Sequence, residues 1–200
     1  MSGIDFRNGV LSVERELTPL DSLAIDVSTV LSTLDIDHAV VAGYVAILSG
    51  RARSTEDIDL LLDPLDRGEA QSLATALRDA GFWGSAMPLS DLAGTLASGS
   101  NIRVARDGEV VPNVELKYAT DEFDRESIDN AILAKIGGEE LPVGPLELQI
   151  AYKLYLGTQK DFEDAVHLYT MFEETLSTPA LEQWIRKLDV EDSYDRLREH

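Results

Sequence analysis

The stretch 39-AVVAGYVAILSGRARSTEDIDLLLD-63 joins an apolar run, a glycine turn and a pair of aspartates. Residues 37–42 are apolar enough to predict a short buried strand, which ends where Gly43 allows a turn. Residues 44–48 then predict the first turns of a helix, and residues 51–56 a polar loop. Residues 57–62 predict a second strand. This strand–helix–loop–strand order indicates an α/β (α+β) domain with a mixed sheet flanked by helices.

The second strand carries Asp57-Ile58-Asp59. Residues two apart on a strand project to the same face, so the two carboxylates converge while Ile58 faces the other way. Converging carboxylates are unfavourable unless a cation lies between them, and a hard divalent ion, Mg²⁺ or Mn²⁺, that also binds substrate phosphates fits this arrangement. The alternative is a solvent-exposed pair in a chain that is rich in aspartate. Similarly, the turn at Gly43 offers N–H groups to a phosphate, or merely relieves a tight connection.

The flanking segments predict further elements. Thr18 and Pro19 predict a helix start, and the pattern of residues 67–80 predicts an amphipathic helix. Strands over residues 102–106 and 110–119 are joined at Asp107-Gly108, with Pro112 indicating that the second strand begins at a sheet edge. We leave residues 82–100 unassigned. Residues 137–145 are interpreted as a Gly/Pro-rich boundary, after which the chain predicts helices over residues 146–156, 160–175 and 179–188. We therefore predict a domain over residues 1–144 and a C-terminal helical part over residues 145–200.

Composition excludes several classes of protein. The 200 residues contain 17 Lys+Arg against 37 Asp+Glu, a net charge of −20, and 44% hydrophobic residues, which is enough for a core. The absence of Cys excludes disulfides and thiolate zinc sites. With no basic stripe, nucleic-acid binding has no support from charge. The scarcity of lysine beside this acidity is typical of a halophilic protein, a merely acidic mesophilic protein being the alternative. With no apolar stretch long enough to span a bilayer and no secretory signal, we expect a cytoplasmic protein without membrane contact.

The stretch quoted above resembles the nucleotidyltransferase superfamily with the polymerase-beta-like fold. That family has a Gly-Gly or Gly-Ser pair at a strand-to-helix turn, then a small residue and a D-x-D strand. The positions that fall into this pattern are Gly43, Ala46, Arg53, Thr55, Asp57 and Asp59. Tyr44 departs from it, as the second residue of the pair, although its N–H stays available and its ring could stack on a base. The resemblance is greatest to the AbiEii-type group, which includes toxins of toxin–antitoxin systems.

A second stretch, 151-AYKLYLGTQKDFEDAVHLY-169, resembles the C-terminal motif of that group, in which a helix bearing Lys precedes Lys-Asp-x-x-Asp. The corresponding residues are Lys153, Lys160, Asp161 and Asp164. Because this chain has few lysines, a cation kept at Lys153 indicates a phosphate ligand or an internal ion pair. A structural bridge from Lys153 to Asp161 or Asp164 is the alternative, and it is compatible with a substrate contact.

The resemblance implies a role for each of these residues. Asp57 and Asp59 would hold the metal ion, with Glu115 on a later strand as the third carboxylate and catalytic base; Asp121 and Asp124 are weaker rivals for that position. Lys117 is expected on the face of Glu115. The nucleotide would be bound by Gly43, Tyr44, Arg53, Thr55, Lys153, Lys160, Asp161 and Asp164. Lys153 would also be catalytic, because Lys153 and Arg53 would neutralise the charge that develops on the phosphates.

The implied activity is transfer of a nucleotidyl group from an NTP to a hydroxyl of an RNA such as tRNA, of a protein or of a small molecule. An antitoxin would be a possible partner. The alternative is an inactive module of the same fold that binds a nucleotide or a partner protein. Other chemistries lack support: the three histidines have no metal-ligand spacing, and neither a G-x-S-x-G elbow nor a P-loop occurs. A glycosyltransferase could use D-x-D, but it would not explain the glycine turn.

Overall fold

A computed structural model describes residues 3–200. Within these residues, nine strands form one mixed sheet in the order β1-β2-β8-β9-β3-β4-β7-β6-β5. The strands are β1 (Ile4–Arg7), β2 (Val10–Val13), β3 (His38–Val41), β4 (Asp57–Leu62), β5 (Phe82–Gly84), β6 (Ile102–Arg106), β7 (Asn113–Tyr118), β8 (Ile132–Ile136) and β9 (Glu139–Val143). The predicted α/β class with a mixed sheet and flanking helices is confirmed.

The helices of the described residues are α1 (Pro19–Thr33), α2 (Gly43–Leu48), α3 (Arg67–Asp79), α4 (Leu92–Ala97), α5 (Glu122–Asp129), α6 (Leu146–Leu156), α7 (Gln159–Phe172), α8 (Thr178–Lys187) and α9 (Glu191–Leu197). The predicted start of α1 is confirmed, because Thr18 and Asp21 form a reciprocal capping box. The three C-terminal helices predicted after residue 145 also form, as α6, α7 and α8. The unassigned residues 82–100 contain β5, a short 3-10 helix and α4.

The two faces of the central strands differ in chemistry. Ile58 and Leu60 of β4 are fully buried in the main apolar core, which also includes side chains of α1 and α4. On the opposite face, β4 presents Asp57 and Asp59, since side chains alternate along a strand. Further along β4, α5 covers this opposite face through a small apolar cluster that includes Leu61 and Ile128. The polar part of the face is thus left at the beginning of β4.

Two sequence-based predictions are wrong. The boundary expected at residues 137–145 is instead the β8–β9 hairpin, whose turn residues Gly137 and Gly138 both have positive φ, at 58° and 88°. A two-residue hairpin turn requires such angles, and glycine adopts them without steric cost. The edge position expected from Pro112 is also wrong. Pro112 lies in the loop before β7, and β7 is an interior strand between β4 and β6. The predicted hairpin of β6 and β7 forms, but β7 begins at Asn113 rather than at residue 110, so residues 107–112 connect the two strands.

A third hairpin, β1–β2, turns at Asn8-Gly9, where both residues have positive φ. Asn-Gly is a strong hairpin signal that the sequence analysis passed over. One apolar core includes buried side chains on both sides of residue 145, such as Val40 and Ile150. The division of the chain at residue 145 therefore stays a prediction. Between residues 3 and 200, no helix is both long enough and apolar enough to cross a lipid bilayer.

Candidate active site

Asp57 and Asp59 lie on one face at the beginning of β4. Asp59 is paired with Val41 of β3 on one side and with Glu115 of β7 on the other. Thr55 Oγ1 donates a hydrogen bond to Asp57 Oδ1 at 2.9 Å, which orients that carboxylate. Burial, followed by the negative charges of Asp57 and Glu115, raises the pKa of Asp59 to about 6. The ionised form of Asp59 is therefore disfavoured, and a cation bound at this face would reverse that effect.

Glu115 lies beside Asp59, on the face predicted for the third carboxylate. Its oxygens accept hydrogen bonds from Arg103 Nε at 2.7 Å and from Asn101 Nδ2 at 3.0 Å. Among residues 3–200, no three acidic, His or Cys side chains are arranged closely enough to hold a metal ion. The carboxylate oxygens of Asp57 and Asp59 are hard donors that suit Mg²⁺. Glu115 is not free to be the third ligand, because its carboxylate is paired with Arg103.

The two rival carboxylates have structural partners. Asp121 accepts the backbone N–H of Asp124 as the N-cap of α5. Asp124 is buried, and Lys117 Nζ lies 3.2 Å from its Oδ2. Thr120 also donates to the same carboxylate through its backbone N–H at 3.1 Å. These contacts assign Asp121 and Asp124 to the beginning of α5.

A cluster of cations surrounds Asp164 of α7, whose side chain is fully buried. Lys153 Nζ lies 2.8 Å from Asp164 Oδ2, and Arg53 Nη1 lies 2.5 Å from the same oxygen. Arg51 Nη1 lies 2.5 Å from Asp164 Oδ1. The structural bridge considered for Lys153 therefore forms, with Asp161 Oδ1 as a second, longer contact at 3.5 Å. Arg51 was not predicted as a site residue. It lies within the quoted stretch 39–63 but is not one of the positions that fall into the family pattern.

The structure thus brings together Arg53, Lys153, Asp161 and Asp164, four of the residues predicted to bind the nucleotide. Lys160 differs from them, because it is exposed on the first turn of α7. Lys153 and Asp59 line the same cavity, and the charge of Lys153 acts to lower the pKa of Asp59. The cation cluster and the carboxylate pair are therefore adjacent parts of one site.

The sequence pattern points to Gly43 and Tyr44 as the pair that forms the turn from β3 to α2. In the structure, the residue with the unusual backbone angles is Ala42, which precedes that pair. Ala42 has φ 61° and ψ −131°, a conformation that favours glycine. Tyr44 is helical and 1% exposed, and its hydroxyl donates to Asp21 Oδ1 at 2.5 Å. The expectation that the Tyr44 ring could stack on a base is wrong, because this ring lies in the core. A Cβ at Gly43 would lie 2.8 Å from Arg53 Nη2, so glycine there lets the guanidinium pack against the backbone.

A cavity of about 160 Å³ opens beside Asp59. Asp59, Gln149 and Lys153 form part of its polar wall, and the rings of Phe123 and Tyr152 belong to its apolar wall. Those two ring centroids are 6.1 Å apart. A larger cleft of about 920 Å³ lies near α3 and α4, but none of the predicted site residues lines it. The smaller cavity is therefore the one connected to the carboxylates.

No protein-family model matches the sequence, and no curated protein matches it either. Among solved structures, the chain is similar to an antigenic nucleotidyltransferase-like protein from Paracoccidioides brasiliensis, with 20% identity, a TM-score of 0.54, and coverage of 88% of this chain and 91% of that one. It is also similar to the solution structure of the antibiotic-resistance factor ANT(2'')-Ia, with 15% identity, a TM-score of 0.50, and coverage of 90% of this chain and 95% of that one. The crystal structure of ANT(2'')-Ia in complex with adenylyl-2''-tobramycin gives 14% identity, a TM-score of 0.51, and coverage of 86% and 98%. At these identities the similarity establishes a shared fold.

Proposed function

We propose that this protein is a nucleotidyltransferase, which transfers a nucleoside monophosphate from an NTP to a hydroxyl group and releases pyrophosphate. The observation that carries the proposal is the pair Asp57 and Asp59 on one face of β4, together with Lys153, which lines the same cavity as Asp59 and meets Arg53 on Asp164. Such an arrangement suits a metal-bound triphosphate, because carboxylates hold the cation and the neighbouring cations neutralise phosphate charge. The shared fold with nucleotidyltransferase-like structures supports the same assignment.

In this proposal Asp57 and Asp59 would hold Mg²⁺ or Mn²⁺. The ion would supply charge neutralisation and polarisation of the reacting phosphate. Thr55 keeps Asp57 in the required orientation through its hydrogen bond. Glu115, adjacent to Asp59, is our candidate to accept the proton of the attacking hydroxyl at its carboxylate. Arg103 and Asn101 fix the orientation of that carboxylate.

The cation cluster would bind the triphosphate. Arg53 and Lys153 share Asp164 as a buried anchor, so both cations are held in place before a nucleotide arrives. Preorganised cations stabilise the charge that develops on the departing pyrophosphate without reorganisation during the reaction. We assign Asp161 and Gly43 to the same region through their contacts with Lys153 and Arg53 respectively. The roles of Lys160 and of the Tyr44 N–H remain predictions from the resemblance.

The cavity beside Asp59 would receive the nucleobase. Its aromatic residues Phe123 and Tyr152 offer ring faces to a flat base, and the adjacent Lys117 and Asp124 offer polar atoms at its wall. This position places the base on the side of Asp59 that faces α5 and α6. Replacement of Tyr152 by Ala would therefore raise the KM for the NTP more than it lowers kcat.

A second candidate function is nucleotide or partner binding without chemistry. The observation that favours it is the ion pair between Glu115 and Arg103, which leaves only two carboxylates for a metal ion. The two candidates differ in product. A binding module would bind an NTP, or none, and would form no labelled product with any metal ion.

The proposal has two further parts, which concern the class of acceptor and the biological role of the protein. A net charge of −20 opposes long polyanionic acceptors, whereas a small hydroxylic molecule meets no such repulsion. The similarity of residues 151–169 to AbiEii-type proteins supports a toxin restrained by an antitoxin. In that case, expression of the wild type would arrest growth and expression of Asp59→Asn would not, and co-expression of a neighbouring gene would relieve the arrest.

Incubation with α-labelled NTPs tests the proposal directly. Each NTP is added with Mg²⁺ or Mn²⁺ at high KCl, together with total RNA, protein extract or a panel of small hydroxylic molecules. We expect label in one acceptor pool with the wild type, and none with Asp57→Ala or Asp59→Ala. Asp63→Ala is the matched control, because Asp63 directly follows the far end of β4 and should leave transfer unchanged. Equal transfer by the wild type and either site variant would refute the site assignment.

A further inference from the structure

We infer that Gln149 is a positioning residue for this site, which holds the β3–α2 turn in its unusual conformation. The kinetic part of this inference rests on the proposed function. Gln149 lies in the first half of α6, and its Oε1 accepts the backbone N–H of Ala42 at 2.8 Å. The two residues are 107 positions apart in the chain. This hydrogen bond therefore connects the C-terminal helices to the turn beside the carboxylates.

The turn needs such a restraint because Ala42 is not the residue its backbone favours. With φ 61° and ψ −131°, the Cβ of Ala42 meets steric resistance that glycine would not. A residue keeps such angles only when its surroundings enforce them. The hydrogen bond from Ala42 to Gln149 is one contact that does so, and Gln149 is 5% exposed, so water does not compete readily for that bond.

The amide of Gln149 also lies close to Gly144. A Cβ at Gly144 would lie 2.6 Å from Gln149 Nε2 and 3.2 Å from Val41 Cγ1. Glycine at residue 144 therefore makes room for the glutamine amide beside β3. The Gly144 N–H also donates to Val40 O at 2.9 Å, which ties the same segment to β3. Gln149 thus lies between Gly144 and the turn, and a side chain larger than glycine at residue 144 would displace its amide.

The β3–α2 turn also influences the position of Arg53. The guanidinium of Arg53 packs against Gly43, the residue that follows Ala42. Lys153 lies one helical turn beyond Gln149 on α6, so both side chains project from the same side of the helix. Lys153 and Arg53 then meet on Asp164. One helix therefore places Lys153 directly and Arg53 through the turn, and loss of the Gln149 contact would let these cations move apart.

Four variants test this inference. Gln149→Met keeps the length of the side chain but removes the acceptor atom, and Ala42→Gly removes the need for the restraint. The double variant combines the two changes. Ile150→Val is the matched control, because Ile150 is fully buried in α6 but is absent from the cavity and from the turn contacts.

We expect Gln149→Met to lower kcat/KM for the NTP about tenfold, the loss of one hydrogen bond that positions charged groups. Ala42→Gly should restore most of that loss in the double variant. Ile150→Val should lower the free energy of unfolding while leaving kcat/KM within about twofold. A purely structural role of Gln149 would give an unrescued loss in the double variant, and that result would overturn the inference, as would unchanged kcat/KM in Gln149→Met.

Hydrogen exchange separates this inference from the proposed function. The Ala42 amide should be protected in the wild type and exchange faster in Gln149→Met, whether or not the protein is an enzyme. If the wild type transfers no nucleotide, the proposed function fails and the exchange result alone decides whether Gln149 holds the turn. Unchanged exchange at Ala42 in Gln149→Met would refute that restraint.

Discussion

Replacement of Asp164 by asparagine tests the electrostatic design of the site. Asp164 is fully buried and accepts ion-pair contacts from Arg51, Arg53 and Lys153. Asparagine has nearly the same size and shape as aspartate, so Asp164→Asn removes the charge without opening a cavity. The variant therefore isolates the effect of leaving three cations around a neutral group.

The magnitude follows from the partners that remain. Removing one member of a buried ion pair costs about 3–5 kcal/mol, because the other charge is left desolvated. Arg51 keeps Glu163 at 2.7 Å, and Lys153 keeps Asp161 at 3.5 Å, so two of the three cations retain a partner. Asparagine Oδ1 also still accepts one hydrogen bond. We therefore expect the lower end of the range, a loss of about 3 kcal/mol in the free energy of unfolding.

Urea unfolding at fixed KCl and neutral pH measures this loss. Glu163→Gln is the matched control, because Glu163 contacts the same Arg51 but is exposed. Exposed ion pairs contribute little, so the control should unfold close to the wild type. Equal urea midpoints and slopes for Asp164→Asn and Glu163→Gln would refute the reasoning that buried charge at residue 164 stabilises this site.

Three further outcomes are expected. Because the folded state raises the pKa of Asp59 from 3.8 to about 6, it binds this proton more tightly than the unfolded state does. Metal-free wild type should therefore lose stability as the pH rises from about 4 to 6, whereas Asp59→Asn should lack that loss and be up to about 3 kcal/mol more stable at neutral pH. Identical stability–pH curves for the two proteins would contradict this. Tyr44→Phe should lower the free energy of unfolding in urea by about 1–2 kcal/mol, because it removes a buried hydroxyl contact, while the KM for the NTP stays unchanged. A raised KM would show that the Tyr44 side chain contributes to nucleotide binding. Gly43→Ala should lower kcat/KM about tenfold or more, because the new Cβ would lie 2.8 Å from Arg53 Nη2, whereas Gly94→Ala, which meets nothing within 4 Å, should not.

Local chemistry explains which parts of the fold could be predicted. The alternation of β4 is contained in a few adjacent residues, so the strand and the shared face of Asp57 and Asp59 were predictable. The position of the β3–α2 turn was predictable as well, but Ala42 rather than Gly43 adopts the positive φ there. The β8–β9 hairpin was missed because Gly137-Gly138 near Pro142 and Pro145 was interpreted as a boundary, although Gly-Gly is also a two-residue turn. That error came from a local signal with two meanings.

The rest of the site depends on contacts between distant segments. Arg51 meets Asp164 across 113 residues of chain, and Gln149 meets Ala42 across 107. Such contacts depend on how the helices pack, and residue spacing in the sequence cannot predict which distant residues will meet. Tyr44 illustrates the same limit, because α2 has only six residues, too few for a periodicity that would show which side faces the core.

One measurement tests the central claim most directly. The NTP is supplied with its label at either the α- or the γ-phosphate, and wild type and Asp59→Asn are compared with the acceptor pool that takes up label in the incubation experiment. We expect the α-label in the acceptor and the γ-label in pyrophosphate, in equal amounts, with the wild type alone. Transfer of the γ-label to the acceptor, or equal products from Asp59→Asn, would contradict nucleotidyl transfer at Asp57 and Asp59.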